Sequence, residues 1–297
     1  MKNLCFSGFY CCLFLLVKKD SFAQLKQEEK IVPKKSYWKA GIKYLSDNVY
    51  LGRKDSVAVP YLTPSIGYYH KSGFYFTSSF SYIPASGENR IDVVAFEGGY
   101  SYSTENFNVE VSASKEFYSK QSFNVNSEIK GRMDTYLSYD LGIVEPSIQA
   151  GVNFASNPDF GIGLGLEHSF SAAENKLEIS PSFLTNLGTK NYYADYYNKR
   201  RYSPNRKGKK QGNVTYDITA NLSGASKFQL MDFEFSLPVE YTIKKITLNF
   251  TPTYALPTHP SDLTLIVKPS NGNSYSQTST EKLENVFYWS FGLTYKF

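Results

Sequence analysis

The sequence predicts an all-β protein, a closed antiparallel up-and-down transmembrane β-barrel of about 12 to 14 strands, with 14 slightly favoured. Apolar and polar residues alternate with a period of two from residue 36 to the end of the 297-residue chain. No stretch approaches the roughly 18 apolar residues of a membrane-spanning helix. Aromatic residues make up 16% of the chain, and their rings favour the two interfaces of a bilayer.

The last strand, 286–297, shows this alternation without a break. One face carries large apolar side chains, namely Phe287, Trp289, Phe291, Leu293, Tyr295 and Phe297. The other face carries Tyr288, Ser290, Gly292, Thr294 and Lys296. A soluble sheet rarely places so many large apolar groups on one face of a terminal strand, whereas a strand between lipid and water requires them.

The first 23 residues have the pattern of a secretory signal peptide. Lys2 supplies the positive start, 4–17 the apolar run, and Ser21-Phe22-Ala23 a small-x-small cleavage site. All three cysteines lie inside this segment, so the exported chain would carry none. Tyr10 before Cys11 does not fit a lipoprotein signal, which disfavours a lipid anchor. The chain thus divides into a signal peptide (1–23), a flexible periplasmic tail (24–35) and a barrel domain (36–297).

Alternation gives about thirteen clear strands. They lie near 36–45, 58–69, 73–82, 91–102, 107–118, 128–140, 143–154, 160–170, 176–187, 214–222, 233–241, 246–254 and 286–297. Because bacterial single-chain barrels normally have an even count, 263–267 is the natural fourteenth strand. The alternative is twelve, with one middle strand misread and 262–268 part of an extracellular excursion.

The strand near 160–170 is the clearest in the middle of the chain. Bulky residues at alternate positions from Phe160 to Leu166 are interleaved with Gly161, Gly163 and Gly165. A Gly-x-Gly-x-Gly string also occurs in dinucleotide-binding loops, but here the spacing is strand-like and no helix follows. The pattern therefore favours a wall strand over a phosphate site.

Prolines interrupt several predicted strands, although a closed barrel has no edge strand where a missing N–H donor would be harmless. Four of them share an x-Pro-Ser/Thr pattern, namely Pro64, Pro146, Pro181 and Pro252. The recurrence predicts either bulges at a common depth or an internal repeat at the level of hairpins.

Charged residues occupy the polar faces of the predicted strands too often for a dry core. The candidate lumen-lining residues are Glu97, Glu110, Lys130, Arg132, Asp134, Glu145, Glu178, Asp217, Glu234 and Glu240. They fit either a salt-bridged interior that serves only as structure or a selective pore.

Positive charge is concentrated in one predicted loop. Eight basic residues and one aspartate between positions 190 and 210 give a local charge of +7, against +5 for the whole chain. The basicity is thus a property of this loop and does not indicate nucleic-acid binding. The candidate basic surface residues are Lys199, Arg200, Arg201, Arg206, Lys207, Lys209 and Lys210. A solvated loop is favoured over one that binds lipopolysaccharide phosphates or closes the barrel mouth.

Catalytic signals are weak. The three histidines, His70, His168 and His259, are isolated from one another, and no zinc-protease, Walker or carboxylate–histidine motif is present. The sequence predicts no catalytic, cofactor-binding or metal-binding residues, and we do not expect an enzyme.

The ending Phe-Gly-Leu-Thr-Tyr-Lys-Phe resembles the targeting signal of bacterial outer-membrane barrels, whose final strand ends on Phe. With the Pro-Ser-Ile-Gly-Tyr-Tyr-His-Lys-Ser-Gly stretch and the Ser-Phe-Ala-Gln cleavage region, the chain is similar to porin-like Bacteroidota outer-membrane barrel proteins. The resemblance implies the outer membrane of a Gram-negative bacterium after Sec-type export. It also implies outer-membrane lipid, lipopolysaccharide and the barrel assembly machinery as partners. The implied membrane-insertion signal comprises Trp289, Phe291, Leu293, Tyr295 and Phe297.

Two functions follow from these expectations. The first is a porin-like passive channel for small solutes. The alternative is a structural or surface-interaction barrel with a closed lumen, which would bind through the long loops 188–212 and 257–285.

Overall fold

The computed structural model describes residues 35–56, 58–84, 89–202, 216–270 and 272–297. The predicted signal peptide (1–23) and all but the last residue of the predicted tail (24–35) lie outside the described residues. Among the residues that are described, no helix is both long and apolar enough to cross a lipid bilayer.

Strands dominate the described chain. Their bounds are β1 (Tyr37–Leu45), β2 (Tyr61–Tyr69), β3 (Phe74–Ile83), β4 (Arg90–Ser103), β5 (Phe107–Tyr118), β6 (Gly131–Tyr139), β7 (Glu145–Phe154), β8 (Asp159–Glu167), β9 (Phe170–Ala172), β10 (Leu177–Ile179), β11 (Ser182–Gly188), β12 (Tyr216–Leu222), β13 (Gln229–Ser236), β14 (Val239–Ile243), β15 (Ile246–Pro257), β16 (Asp262–Pro269), β17 (Tyr275–Thr280) and β18 (Val286–Lys296). One short helix, α1 (Asn191–Tyr196), continues into a π-helical turn, Tyr197–Arg201.

The first and last wall strands pair and close the sheet into a barrel. β1 runs antiparallel to β18, from Lys39 opposite Lys296 to Leu45 opposite Ser290. Three wall strands are each built from two segments, β8 with β9, β10 with β11, and β13 with β14. The wall therefore contains twelve strands, which confirms the predicted closed antiparallel barrel.

The preference for fourteen strands is wrong, and the alternative of twelve is right. Both extra strands form, but β12 and β16 pair with each other, with Ala220 opposite Leu265, in a separate three-stranded sheet that β17 completes. Alternation could not separate them from wall strands, because any strand with one covered face has a period of two.

The wall is apolar outside and polar inside. On β15, Thr247 and Thr253 are buried toward the interior, whereas Phe250 faces outward and is 41% exposed. On β18, Ser290 is buried and Phe291 is exposed. Because side chains alternate across a strand, the exposed aromatic residues share the outer surface.

The prolines coincide with a row of interruptions across neighbouring wall strands. The break between β10 and β11 is at Pro181, and the break between β13 and β14 is at Pro238. The carbonyl oxygen of Pro238 accepts a hydrogen bond from Ser180 N (2.9 Å), and that of Pro252 accepts one from Leu237 N (3.2 Å). Pro181, Pro238 and Pro252 thus lie close together on three neighbouring wall strands. Pro64, Pro146 and Pro252 pair in regular register, so the prediction of bulges at a common depth is wrong for these three.

The two ends of the barrel differ. Short turns, such as 70–73, 104–106 and 244–245, join the strands at the end where β1 begins and β18 finishes. The long connections 46–60, 119–130, 189–228 and 258–285 all lie at the opposite end. There the described parts of these connections pack together into a body that we call the cap.

Candidate functional site

One connection of the cap, 46–56, crosses the mouth of the barrel, and we call it the crossing loop. It leaves from the end of β1, yet Tyr50 Oη accepts a hydrogen bond from Asn153 Nδ2 on β7 at 2.9 Å. The Tyr50 ring also lies 5.2 Å from the Arg132 guanidinium on β6. In a ring of twelve, β7 lies directly across from β1. The loop therefore spans the mouth.

The crossing loop also contacts the wall near its origin. Val49, which is completely buried, packs against Ala255 of β15 and against Tyr288 of β18. Gly52 has a φ of +71°, and a Cβ there would lie 2.8 Å from Pro257. Glycine is needed at this position, both for the left-handed backbone and for the close approach to the wall.

Tyrosines form the core of the cap. The buried apolar residues of this core come from the four long connections and from β13: Tyr50, Leu51, Val125, Ile129, Tyr192, Tyr193, Tyr196, Tyr197, Ala220, Leu222, Met231 and Leu263. Because this core joins the crossing loop, α1 and the small sheet, the long connections behave as one packed body rather than as separate loops.

Arg53 fastens the crossing loop to the rest of the cap. Its side chain is 1% exposed and makes a 3.0 Å ion pair with Glu281, while Nη2 donates to the carbonyl oxygen of Thr258 at 3.0 Å. A buried guanidinium is tolerated only with such a set of acceptors, so the loop is strongly tied to the connection 258–285.

Lys190 belongs to the same buried network. Its Nζ donates to the carbonyl oxygen of His259 at 2.9 Å and lies 4.0 Å from Glu281. Burial, reinforced by the neighbouring positive charge of Arg53 and opposed by Glu281, lowers the pKa of Lys190 to about 8. Lys190 is thus the cap residue whose charge changes just above neutral pH.

Asp159, at the start of β8, holds α1 on the rim. One carboxylate oxygen accepts hydrogen bonds from Thr189 Oγ1 (2.6 Å) and Asn191 N (2.7 Å), and the other accepts one from Tyr192 N (2.7 Å). The N-cap residue, Lys190, makes no side-chain capping bond. The carboxylate of Asp159, a wall residue, thus accepts the N-terminal hydrogen bonds of α1 that the side chain of its own N-cap residue does not accept.

The expectation of a solvated basic loop is wrong for Arg200 and Arg201, which are partly buried against carboxylates, whereas Lys199 is exposed as expected. Arg200 pairs with Glu128 and Arg201 with Asp55, while Lys199 lies 2.9 Å from Asp195. The sequence placed these charges in solvent because their carboxylate partners lie up to 146 positions away. Arg206, Lys207, Lys209 and Lys210 lie outside the described residues.

Inside the barrel, Tyr75 connects two of the predicted lumen residues. Its hydroxyl oxygen lies 2.7 Å from Glu110 Oε1 and 3.0 Å from Glu97 Oε1. The ring lies over Gly99, where a Cβ would be 2.7 Å from the hydroxyl. Glycine at position 99 thus allows Tyr75 to reach across β4 toward β5.

Most other predicted lumen residues also project inward. Glu145 accepts from Ser138 Oγ at 2.7 Å, Glu240 accepts from Asn249 Nδ2 at 3.1 Å, and Arg132 pairs with Glu116 at 3.2 Å. Glu178 and Glu234 are buried on wall strands, at 4% and 0% exposure. Asp134 lines a small cavity beside Gly151.

Two predicted lumen residues are placed elsewhere. Asp217 lies on β12, in the small sheet, and its side chain is exposed. The sequence predicts it in the lumen because β12 alternates like a wall strand. Lys130 precedes β6 at the long-loop end, and its side chain is also exposed. Neither residue belongs to the wall interior.

Several buried polar atoms of the inner wall have no hydrogen-bond partner among the described residues. They are Ser103 Oγ, Asn108 Oδ1, Gln149 Nε2, Asn153 Oδ1, Thr253 Oγ1 and Ser290 Oγ. Buried polar groups are nearly always hydrogen bonded to protein or to water. An apolar core would not accommodate groups of this kind, so the inner wall is polar.

Cavities remain within the polar interior. One of about 100 Å³ is lined by Lys39, Lys43, Glu97 and Glu240. A second, of about 280 Å³, lies at the short-turn rim and is lined by Glu145, Glu167, Glu178 and residues of the turns 140–144 and 168–175. The interior thus combines open space with ionisable walls.

The neighbouring residues His168 and Ser169 contact other groups rather than each other. His168 packs edge-on against the Phe170 ring at 4.3 Å, and Ser169 Oγ hydrogen bonds Ser180 Oγ at 2.9 Å. No group of three or more His, Cys, Asp or Glu side chains in the described parts of the chain could hold a metal ion.

The sequence missed the residues that form the cap. Tyr50, Arg53, Lys190 and Glu281 lie in connections without periodicity, and Tyr75 gives no sign of its two carboxyl partners. In the sequence, the cap residues are marked only by tyrosines and isolated charges in unusually long connections, which is a weak indication of a packed cap.

The likeness of this chain to known proteins is distant. No family model and no curated protein matches the sequence. Among solved structures, the chain is similar to a KdgM porin (9% identity, TM-score 0.44, covering 87% of this chain and 99% of that one) and to a NanC porin (12%, 0.44, 87% and 98%). It is also similar to the Acinetobacter baumannii outer membrane protein Omp33 (8%, 0.34, 89% and 98%). Two of the three are porins. At these identities and TM-scores the likenesses carry no further argument about this chain.

Proposed function

We propose that this protein is a porin-like outer-membrane barrel that conducts small solutes through its polar interior, and that the cap gates the long-loop end. The observation that carries the proposal is the polar and charged inner wall of a closed barrel, since a polar interior is the basis of a hydrated pore.

Placement in the outer membrane of a Gram-negative bacterium is supported by the outer surface. Its exposed residues include Phe74, Phe117, Phe160 and Phe287, at 52% to 62% exposure. A belt of this kind is stable against lipid and unfavourable against water. Sec-type export, assembly by the barrel insertion machinery through the β18 ending, and contact with outer-membrane lipid and lipopolysaccharide are parts of the same proposal.

The gating part of the proposal is supported by the crossing loop. A loop held against β7 at Tyr50 obstructs the mouth, whereas the cavities toward the short turns remain open. Release of the loop, rather than movement of the wall, is the step that would open the path.

Conductance in planar bilayers tests the proposal. We expect voltage-dependent steps from wild type, and more frequent openings when 48–54 is replaced by two glycines. Heat-modifiable gel mobility verifies that each barrel is folded. A matched control replaces the exposed turn residues Glu174 and Lys176 with glycine and should conduct like wild type. Folded barrels without steps at any voltage, with and without the crossing loop, would refute a channel.

The second candidate is a structural or surface-interaction barrel whose mouth stays closed. The inward-directed ion pairs of Arg53 and Arg200 favour it, because they make the cap a stable folded body. Under this alternative the shortened loop leaves conductance at zero but abolishes attachment of cells to surfaces. Attachment that persists without the loop would reject it.

A further inference from the structure

One charged side chain of the wall points outward, toward lipid. Lys115 on β5 shares the outer face of its strand with Val111, Ala113 and Phe117, and it is exposed. On the wall strands that the structure describes, the other charged residues alternate onto the inner face. A lysine on the lipid face is strongly unfavourable at the bilayer centre and almost neutral near an interface. The depth of Lys115 therefore decides what it contacts.

Lys115 lies near the long-loop end of the wall. β5 ends at Tyr118, and the long connection 119–130 follows it. In bacterial barrels the long loops are extracellular, so this end belongs to the outer leaflet. The ammonium nitrogen of Lys115 lies 5.6 Å from the centre of the Phe117 ring, which is nearer to that end. The side chain thus extends its charge away from the bilayer centre and toward the headgroups.

The outer surface around Lys115 is aromatic. Lys115 pairs in register with Phe96 on β4 and with Gly131 on β6, and Gly131 pairs with Phe154 on β7. Phe96, Phe117 and Phe154 are 40%, 54% and 47% exposed. A Cβ on Gly131 would lie 3.9 Å from Lys115 Cδ, so no neighbouring side chain covers the lysine stem on that side. A cation among exposed rings fits a ligand with an apolar body and an anionic head.

Two further lysines lie at the same part of the rim. Lys120 follows β5 and Lys130 precedes β6, and these two strands are neighbours in the wall. Glu116 N donates to the carbonyl oxygen of Lys130 at 3.3 Å, which places Lys130 beside the end of β5. Both lysine side chains are exposed. The rim above Lys115 therefore carries additional positive charge.

The protein's own carboxylates do not neutralise this charge. Glu116 pairs with Arg132 at 3.2 Å, and Glu128 in the same connection pairs with Arg200. Within the described parts of the chain, none of the three lysines forms an ion pair with a carboxylate. An anion from outside the protein is the partner that this surface fits.

We propose that Lys115, with Lys120 and Lys130 beside it, binds the phosphate group of an anionic outer-leaflet lipid whose acyl chains lie along the neighbouring aromatic rings. This inference rests on the outer-membrane placement in the proposed function and adds a specific lipid site to it. Lysine binds phosphate as a point charge, and each basic residue near a membrane surface strengthens the binding of anionic lipid about fivefold.

The test places a single tryptophan in the site and measures its quenching by brominated lipids. In a Trp38→Phe and Trp289→Phe background, Phe117→Trp reports on the site. Phe287→Trp reports on an equally exposed position at the same end of β18, on another side of the ring. The ratio of quenching by brominated phosphatidic acid to quenching by brominated phosphatidylcholine gives the local preference for anionic lipid. It should be about fivefold higher at position 117 than at position 287.

Variants assign the preference to the lysines. Lys115→Met keeps an apolar stem without the charge and should remove the preference at position 117. The double variant Lys120→Gln and Lys130→Gln should lower it. Lys176→Met, at an exposed turn of the opposite end, is the matched control and should leave it unchanged. Excess inorganic phosphate should not compete, because the free ion has no apolar chains.

The outcomes separate the lipid site from the membrane placement. Equal ratios at positions 117 and 287 overturn the site and leave the placement intact. A preference that persists in Lys115→Met overturns the assignment to Lys115, and one that inorganic phosphate abolishes identifies a site for soluble anions and overturns the lipid. No quenching at either position overturns the membrane placement and the site with it. Gel mobility identifies a misfolded Lys115→Met, and Lys115→Gln then replaces it.

Discussion

At the scale of single residues, the interior depends on two glycines that are adjacent in sequence but not equivalent. Gly99 faces inward beneath the Tyr75 ring, whereas a Cβ on Gly98 would have no heavy atom nearer than 3.8 Å. Alanine substitutions at the two positions therefore separate a clash with Tyr75 from the general effect of adding a methyl group to a strand.

We expect Gly99→Ala to destabilise the barrel by about 1–3 kcal/mol, the usual range for overpacking a filled site. Its Cβ would meet the Tyr75 hydroxyl, which the two glutamates hold in place. Gly98→Ala should be close to neutral. Urea unfolding followed by gel mobility measures both, and equal effects of the two substitutions would contradict the placement of Tyr75.

Lys190 predicts a pH dependence of stability. Its folded pKa of about 8 lies below the usual value near 10.4 of an unfolded lysine. Between these two values the unfolded chain holds a proton that the folded chain releases, so the contribution of Lys190 to stability rises with pH. Below pH 8 that contribution is absent.

The measurement is the free energy of unfolding of wild type minus that of Lys190→Met, from pH 7.5 to 10.5. The difference should rise through this window by at most about 3 kcal/mol. Other titrating groups cancel in the subtraction. A difference that stays flat would show that Lys190 is not buried next to Arg53.

At the scale of elements, α1 exists because the wall supports it. Six residues are too few for a stable isolated helix, and the N-cap side chain does not contribute. The carboxylate of Asp159 and the tyrosine core supply what the helix itself lacks.

Asp159→Ala should therefore lower the local free energy of unfolding of the cap by about 1–3 kcal/mol. The three hydrogen bonds that Asp159 accepts from Thr189, Asn191 and Tyr192 are lost. Hydrogen exchange should accelerate in 189–202 while the wall strands keep their protection. Asp217→Asn serves as the control for a carboxylate that contacts no helix. Unchanged exchange in 189–202 would show that the tyrosine core holds the helix without Asp159.

At the scale of the whole molecule, the two tryptophans report how the barrel sits in a membrane. Trp38 lies opposite Phe297 at the short-turn end, and Trp289 lies opposite Ser46 near the long-loop end of the same strand pair. Eight residues of β-strand span about 26 Å, which a tilt of about 40° reduces to about 20 Å along the barrel axis. The two rings thus lie near opposite edges of an apolar band.

In vesicles, both tryptophans should be quenched by brominated lipids, and more strongly by bromines near the headgroups than by bromines at the bilayer centre. The variants Trp38→Phe and Trp289→Phe separate the two signals. Strongest quenching by the central bromines would place both rings at the wrong depth. Absence of quenching would contradict the membrane location.

Much of the wall could be predicted from sequence because its pattern is local. The strand 107–118 is predicted with its observed bounds, and the terminal strand is predicted to within one residue. The candidate site was predicted less well. Glu97 and Glu110 were assigned to the interior by their position in the alternation, whereas Asp217 was misplaced because β12 alternates like a wall strand.

By itself, the sequence determined most of the strands, which face of each is apolar, and the charged character of the inner face, because a period of two acts over neighbouring residues. Tertiary structure alone decided that twelve strands close the ring and that the long connections fold into a cap. It also decided that Arg53 and Arg200 form ion pairs within the cap, and that one loop crosses the mouth of the barrel. The reason is distance along the chain: Tyr50 meets Asn153 across 103 positions and Arg53 meets Glu281 across 228, and such pairings exist only once the sheet has closed.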